Sequence, residues 1–267
     1  MNIFRNVVFT AAAAGLLASV VMAGMQAVST DPLILKAETY ESVGGEPAHD
    51  HAAHDHGTAA TDATAPAVSE AAPAASESAP VVAAHEHGED EWAPQDGFER
   101  FVFNVLANLV SGFGFALILV AVSEFAGGIS SWRSGLLWGF AGFAVFTLAP
   151  GLGLPPELPA MPAADLGARQ VWWISTVAAT AAGLALIAFR GTVVLSIVGV
   201  ALIVAPHIVG APQPASHESP IPPDLHHQFV VASTVTNLIF WVLLGGLVGA
   251  LRSRFFGSSG LARNQLA

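Results

Sequence analysis

The sequence predicts an all-α integral membrane protein, a bundle of about six transmembrane helices with a disordered, His-rich extracytoplasmic loop. Of its 267 residues, 53% are hydrophobic and only 11% are charged, whereas about a quarter are charged in ordinary soluble domains. Six apolar runs lack Asp, Glu, Lys and Arg and approach the ~20 residues that a crossing helix needs. A membrane β-barrel would instead show ~10-residue alternating segments. The runs are Val7–Val28, Phe101–Val122, Gly135–Leu154, Val171–Phe189, Thr192–Gly210 and Phe229–Leu251.

The first run predicts a transmembrane helix within residues 1–28. Arg5 and the small residues Ala23–Ala27 also fit a signal peptide, which is the alternative. Residues 29–97 then form an extracytoplasmic loop that begins with a compact, partly apolar stretch. From Gly44 to Pro94 the loop consists mainly of Ala, Pro, Ser, Thr, Glu and His. It has too little large apolar surface to offset the entropy of ordering, so we expect disorder there.

The other five runs predict a five-helix transmembrane core over residues 98–254, followed by a short cytoplasmic tail, 255–267. Arg190 and Gly191 alone separate the fourth run from the fifth, which predicts an antiparallel hairpin. Prolines make the loop Gly151–Pro159 rigid, because proline fixes φ. Glycines recur in the second, third and sixth runs, and small residues allow close contact between membrane helices.

Lysine and arginine are distributed unequally between the two sides of this topology. Only Lys36, Arg100 and Arg169 lie on the side opposite the termini, while the other six basic residues lie with the termini. The positive-inside rule therefore places both termini in the cytoplasm. With that orientation Glu124 alone of the 20 acidic residues is cytoplasmic, and all ten histidines lie at or beyond the outer face.

Two clusters in the predicted loop alternate imidazoles with carboxylates. The chain has no cysteine, so metal ligands must be His, Asp, Glu or Met, and neutral imidazole binds Co, Ni, Cu and Zn well. We expect the clusters to bind a divalent metal, and the alternative is an acidic solvating loop with incidental histidines. The predicted ligands are His49, His51, His54, His56, His85 and His87.

Four further histidines flank the last two runs and are also predicted metal ligands: His207, His217, His226 and His227. Read at 3.6 residues per turn, His226, Ser233 and Asn237 share one face of the sixth helix. Polar stripes on the first two helices either line an outer vestibule or hydrogen-bond between helices. These stripes are Ser19, Met22, Gln26 and Ser29, and Asn104, Asn108 and Ser111. Glu124 is either an exit-side ligand or a boundary charge.

Catalytic motifs do not emerge from the sequence. We find neither a phosphate-binding glycine loop nor a nucleophile elbow, so we expect no enzyme activity and no tightly bound cofactor. The bound or transported species is predicted to be a divalent metal, and the ligand types do not decide between Co, Ni, Cu and Zn. The leading hypothesis is a transporter or transporter subunit that captures the metal outside and passes it inward, and the alternative is a non-conducting metal sensor or assembly protein.

Three segments carry a family resemblance: Pro32–Glu38, Ala149–Pro159, and Ala205-Pro206-His207 with Gly210-Ala211-Pro212. Together they resemble the predicted cobalt transporter subunit family CbtA, whose members are described with about five spans. The resemblance implies cobalt uptake across a bacterial inner membrane, a link to cobalamin metabolism, and a small single-span CbtB-like partner with its own histidine motif. Besides that partner, the lipid bilayer and the metal ion, we expect no nucleic-acid partner.

Overall fold

The structure, a computed structural model, describes residues 2–44 and 94–264, and every regular element in these two ranges is helical. The elements are α1 (Asn2–Ser29), α2 (Asp31–Gly44), α3 (Phe98–Phe125), α4 (Trp132–Phe143), a π-helical turn (Ala144–Leu148), α5 (Ala149–Gly153), α6 (Leu166–Arg190), α7 (Val193–Val209) and α8 (Pro223–Asn264). Apart from its two end residues, the stretch predicted to be disordered lies outside the described residues. So do the six histidines within it.

The helical membrane fold predicted from the apolar runs is confirmed. Within the described ranges, five helical stretches have the length and composition to cross a membrane, and they match every predicted run except the fifth. The fifth run forms α7, which is apolar but has only 17 residues. At 1.5 Å per residue α7 is about 25 Å long, the lower limit for a hydrocarbon core of ~30 Å. The last helix, α8, continues to Asn264, through most of the predicted tail.

Ion pairs between helix ends define the two ends of the bundle. At one end Arg100, at the start of α3, pairs with Glu38 on α2. At the other end Arg252 of α8 pairs with Glu124 near the end of α3. We call the first the histidine end, because it holds the four described histidines, and the second the arginine end.

The central helix is α8, which packs against both α4 and α1, while α1 packs in turn against α3. Trp241, Leu244 and Val248 of α8 are almost fully buried in this core. Glycines allow the close approach, because a Cβ on Gly245 would lie 2.7 Å from the backbone nitrogen of Gly139. The predicted role of small residues in close helix contact is therefore confirmed for the α4–α8 interface.

The third predicted span is not a continuous α-helix. In the π turn the N–H of Ala149 donates to the carbonyl of Ala144, five residues earlier. Pro150 follows at once and has no N–H to donate to the preceding turn. The helix then continues to Gly153, three residues into the segment that the sequence predicted as loop. Single π turns of this kind occur frequently at functional sites.

The predicted hairpin of α6 and α7 is present, with Gly191 in the left-handed conformation (φ 60°) that ends α6. Gly183 and Gly199 bring the two helices close together, because a Cβ on either would lie 2.5 or 2.6 Å from the other's carbonyl oxygen. This hairpin contacts the rest of the bundle through α5 and the π turn. The interrupted third span therefore joins the hairpin to the central helix.

Candidate functional site

A cavity of about 890 Å³ lies between the third span, α6 and α8 at the histidine end. Its polar side chains include Ser233, Thr234 and Asn237 of α8, Thr147 of the π turn and Gln170 of α6. Ser233 and Asn237 line the same space, as their helical spacing predicts, whereas His226, predicted on the same face, is not among the residues that line it. Asn237 lies near the midpoint of the apolar part of α8, Pro223–Arg252. The cavity therefore extends from the histidine end to the middle of this span.

The interrupted helix supplies one wall of the cavity, through Phe146, Thr147 and Leu148 of the π turn and Pro150 of α5. Irregular backbone at membrane depth is tolerated where it lines a cavity. In many transporters an interrupted helix of this kind carries the ion site near the bilayer midplane. Pro150 has no backbone N–H, so it cannot donate a hydrogen bond to a carbonyl oxygen of the π turn, as another residue at position 150 would.

Aromatic rings pack next to the cavity on its side towards the arginine end. Phe146 lines the cavity and stacks on Trp241, with ring centroids 5.4 Å apart and planes 6° apart. The ring centroid of Phe115 lies 5.0 Å from that of the same indole. Trp241 is 2% exposed and lies one turn beyond Asn237. These rings thus pack next to the cavity, one helical turn beyond Asn237 towards the arginine end.

One ion pair stands among the cavity-lining residues. Arg169 Nη2 lies 2.9 Å from Glu157 Oε2, and the two side chains are 29% and 24% exposed. Glu157 belongs to the proline-rich loop after α5, and Arg169 lies in the first turn of α6. Glu157 lies in the loop that the sequence predicted to be rigid, and it was not among the predicted ligands. Its position between two prolines near an apolar run was the signal that this carboxylate is held in place.

His226 is held against the loop that carries Glu157. Its Nε2 lies 3.1 Å from the carbonyl oxygen of Pro156, the residue before Glu157. A carbonyl only accepts, so this hydrogen bond requires the proton on Nε2 and leaves the lone pair of a neutral ring on Nδ1. Metal-binding histidines commonly donate their other N–H to a backbone carbonyl in this way.

His207 occupies a different environment, near the end of α7. Its ring meets that of Trp172 edge to face, with centroids 5.9 Å apart. Trp172 Nε1 in turn donates to the carbonyl of Pro206 at 3.3 Å. The structure thus places His207 in the α6–α7 packing and His226 against Pro156, and a ligand role for His207 stays a prediction.

The remaining two described histidines are exposed. His217 lies in the loop between α7 and α8, and His227 lines a groove of about 450 Å³ between α1 and α8 together with Met25. Within residues 2–44 and 94–264, no three His, Cys, Asp or Glu side chains are grouped so as to hold a metal ion. Among the described residues, then, the predicted histidines do not assemble into a preformed metal centre.

The polar stripes on the first two spans serve the interface between those helices. Ser19 Oγ donates to the Asn108 carbonyl at 2.7 Å, and Asn108 Nδ2 donates to Gln26 Oε1 at 2.6 Å. Met22 is buried in the core cluster. Of the two alternatives from the sequence, these contacts favour interhelical hydrogen bonding over an outer vestibule.

At the arginine end, Glu124 Oε1 lies 2.7 Å from Arg252 Nη2. Arg252, which is 12% exposed, also donates from Nη1 to the carbonyl of Ile129 at 2.9 Å. This arrangement favours the interpretation of Glu124 as a boundary charge, because its carboxylate pairs with a well-buried guanidinium that ties α8 to the α3–α4 loop.

A small apolar cluster fixes the loop that carries Glu157. Leu158 is 3% exposed and packs with Ala37 of α2, with Ile221 just before α8, and with Leu225 and Phe229 in the first two turns of α8. The backbone N–H of Ala160 donates to Glu41 Oε1 of α2 at 3.1 Å. Burial of Leu158 therefore fixes the backbone on one side of Glu157, and the His226 contact to Pro156 fixes it on the other.

These features define a multi-pass helical membrane protein with a cavity at its histidine end, whose mainly apolar wall carries a few polar side chains. The chain belongs to the family of probable cobalt transporter subunits, CbtA, whose family model matches residues 4–253. The match extends over nearly the whole chain and confirms the resemblance carried by the proline-rich motifs. The chain matches no curated protein and no solved structure.

Proposed function

We propose that this chain captures a divalent metal cation, cobalt in the first instance, outside the cytoplasm and passes it inward through the cavity beside α8. The observation that supports the proposal is the depth of this cavity, whose mainly apolar wall carries polar side chains from the histidine end to mid-span. Family membership supplies the substrate class, because its members are probable cobalt transporter subunits. Nickel and zinc bind the same ligand types and are the alternative cargoes.

Capture is the proposed role of the histidine end. The arginine bias predicts that this end faces outward in a bacterial inner membrane, with both termini in the cytoplasm. The six loop histidines between residues 45 and 93 are tethered to the ends of α2 and α3. A tethered ligand raises the local concentration of a weakly bound ion without needing high affinity.

Passage is the proposed role of the cavity. Its hydroxyl, amide and carbonyl oxygens are neutral ligands that can replace part of an ion's water shell. A conducting site must bind well enough to admit the ion and weakly enough to release it. A cavity with one carboxylate and several neutral oxygens fits that requirement better than a closed cluster of anionic ligands would.

For inward release we propose movement of the aromatic rings that pack next to the cavity. The ring stack of Phe146 on Trp241 joins the π turn to α8, so a shift of the interrupted helix would separate the two rings. We propose that the π turn is where the third span bends during transport. Because the family members are subunits, we also propose that a small single-span protein acts with this chain.

Uptake of radiolabelled cobalt tests the proposal against the alternative of a non-conducting sensor or assembly protein. Cells or vesicles are compared with this chain alone, with this chain plus its single-span partner, and with neither. We expect saturable uptake that depends on this chain and is suppressed by unlabelled cobalt. Uptake equal to that of the empty vesicles, with correctly inserted protein and partner present, would favour the sensor or assembly role.

A further inference from the structure

We propose that Glu157 and His226 form the entrance site for the divalent cation, and that Arg169 is an internal competitor which the cation displaces from Glu157. This inference rests on the proposed function, because it concerns how the same cavity admits its cargo. Glu157 and Arg169 had no role assigned by the sequence, and His226 had no identified partner.

The imidazole and the carboxylate are linked to the same stretch of loop. His226 Nε2 is bonded to the carbonyl of Pro156, and Pro156 is the residue before Glu157. In this tautomer the neutral ring keeps its lone pair on Nδ1, the atom that would bind a cation. An imidazole nitrogen, a carboxylate oxygen and water form a ligand set that suits Co, Ni and Zn.

The backbones on both sides of the ion pair are fixed, while the side chains retain freedom. The Asp165 side chain caps α6 by accepting from the backbone N–H of Ala168 at 2.8 Å, which fixes the turn that carries Arg169. Leu158 anchors the loop next to Glu157. Both charged side chains are partly exposed to the cavity, so the pair can separate without unfolding either element.

A partly exposed ion pair is weak enough to be displaced. Such pairs contribute roughly 0.2–1 kcal/mol, which corresponds to about a 1.4- to fivefold change in an equilibrium constant. A doubly charged cation attracts a carboxylate more strongly than a guanidinium does at the same distance. The displaced guanidinium stays nearby and repels the bound ion, which shortens its residence time and favours passage.

A second ion pair at the same end provides a matched control. Arg100 contacts both carboxylate oxygens of Glu38, and its side chain is 35% exposed, comparable to that of Arg169. Neither Arg100 nor Glu38 lines the cavity. Replacing Arg100 therefore removes an equivalent charge from the same face without touching the proposed site.

The test is equilibrium binding of Co²⁺ to the purified full chain, followed by the visible absorption of the ion as imidazole replaces water. The parent protein carries alanine in place of the six loop histidines, so that they do not dominate the signal. R169Q should lower the dissociation constant by about two- to fivefold. E157Q and H226A should each raise it about tenfold, and E157Q should also abolish the effect of R169Q because the competition is for Glu157, while R169K should resemble the parent.

The outcomes separate this inference from the proposed function. An unchanged or higher dissociation constant in R169Q overturns the inference, and so does an equal shift in R100Q, which would indicate a general charge effect. Cobalt uptake by the unmodified chain is measured in parallel. If the unmodified chain takes up cobalt but R169Q does not change the dissociation constant, the transport role is supported and this entrance site is not. If R169Q lowers the dissociation constant but the unmodified chain takes up no cobalt, the site is supported and transport is not. Size-exclusion profiles establish that each variant is folded.

Discussion

Replacing Gly245 by alanine should weaken the contact between α4 and α8. A Cβ at this position would overlap the carbonyl oxygen of Gly135 and lie 2.7 Å from the nitrogen and 2.8 Å from the Cα of Gly139. All three are backbone atoms, so only separation of the helices relieves the clash. Overpacking of this kind costs about 1–3 kcal/mol. Alanine is favoured over glycine in a helix interior by roughly 0.5–1 kcal/mol, which offsets part of that cost.

Gly114 provides the control, because a Cβ there meets no atom within 4 Å. The preference of helices for alanine cancels when G245A is compared with G114A, so we expect G245A to be less stable by the strain alone, about 1–3 kcal/mol. Unfolding of the purified protein by SDS in mixed micelles, followed by tryptophan fluorescence, measures the difference. G246A should fall between the two, since its Cβ would meet only the terminal Leu136 Cδ2, at 3.3 Å. Equal stability of G245A and G114A would refute the close approach of α4 to α8.

Three further predictions concern topology and metal handling. A reporter inserted near Thr64 should behave as extracytoplasmic in a fusion assay, and cytoplasmic behaviour would remove the geometry needed for capture. A peptide of residues 46–91 should bind Co, Ni or Zn reversibly in calorimetry and bind more weakly as pH falls through ~6.5, where free imidazole protonates. No binding at millimolar metal would rule out the loop as a trap. Replacing the six loop histidines should reduce cobalt uptake at scarce metal but be rescued by plentiful metal, whereas replacing His207 and His226 should not be rescued. Normal uptake by the His207/His226 double variant, with a loop variant inactive at every concentration, would reverse this assignment.

The spans could be predicted because each depends on local composition. A charge-free apolar run near 20 residues has few alternatives to a membrane helix, and all six predicted runs are helical along most of their length. The break in the third run was not predicted, although Pro150 near its end was visible in the sequence. How a chain accommodates that proline depends on packing, and here the π turn places Phe146 against Trp241 of α8.

The site could be predicted only in part, because the contacts that define it join residues far apart in the chain. The helical period correctly placed Ser233 and Asn237 in one space, since that relation is local to α8. The pairing of Glu157 with Arg169, and of His226 with the Pro156 carbonyl, depends on how the loop after α5 folds over α8. Periodicity carries no information about that approach.

Cobalt uptake into proteoliposomes by two serine variants tests most directly whether metal passes through the cavity beside α8. Ser233 lines the cavity, whereas Ser175 is an exposed residue of α6 that bonds only within its own helix, to Val171. Leucine at either position makes the same chemical change and is compatible with a membrane helix. With equal amounts of inserted protein and partner, S233L should reduce the initial rate about tenfold or more, equivalent to a barrier raised by ~1.4 kcal/mol, while S175L should transport like the unmodified chain. Equal rates for S233L and the unmodified chain would contradict passage through this cavity.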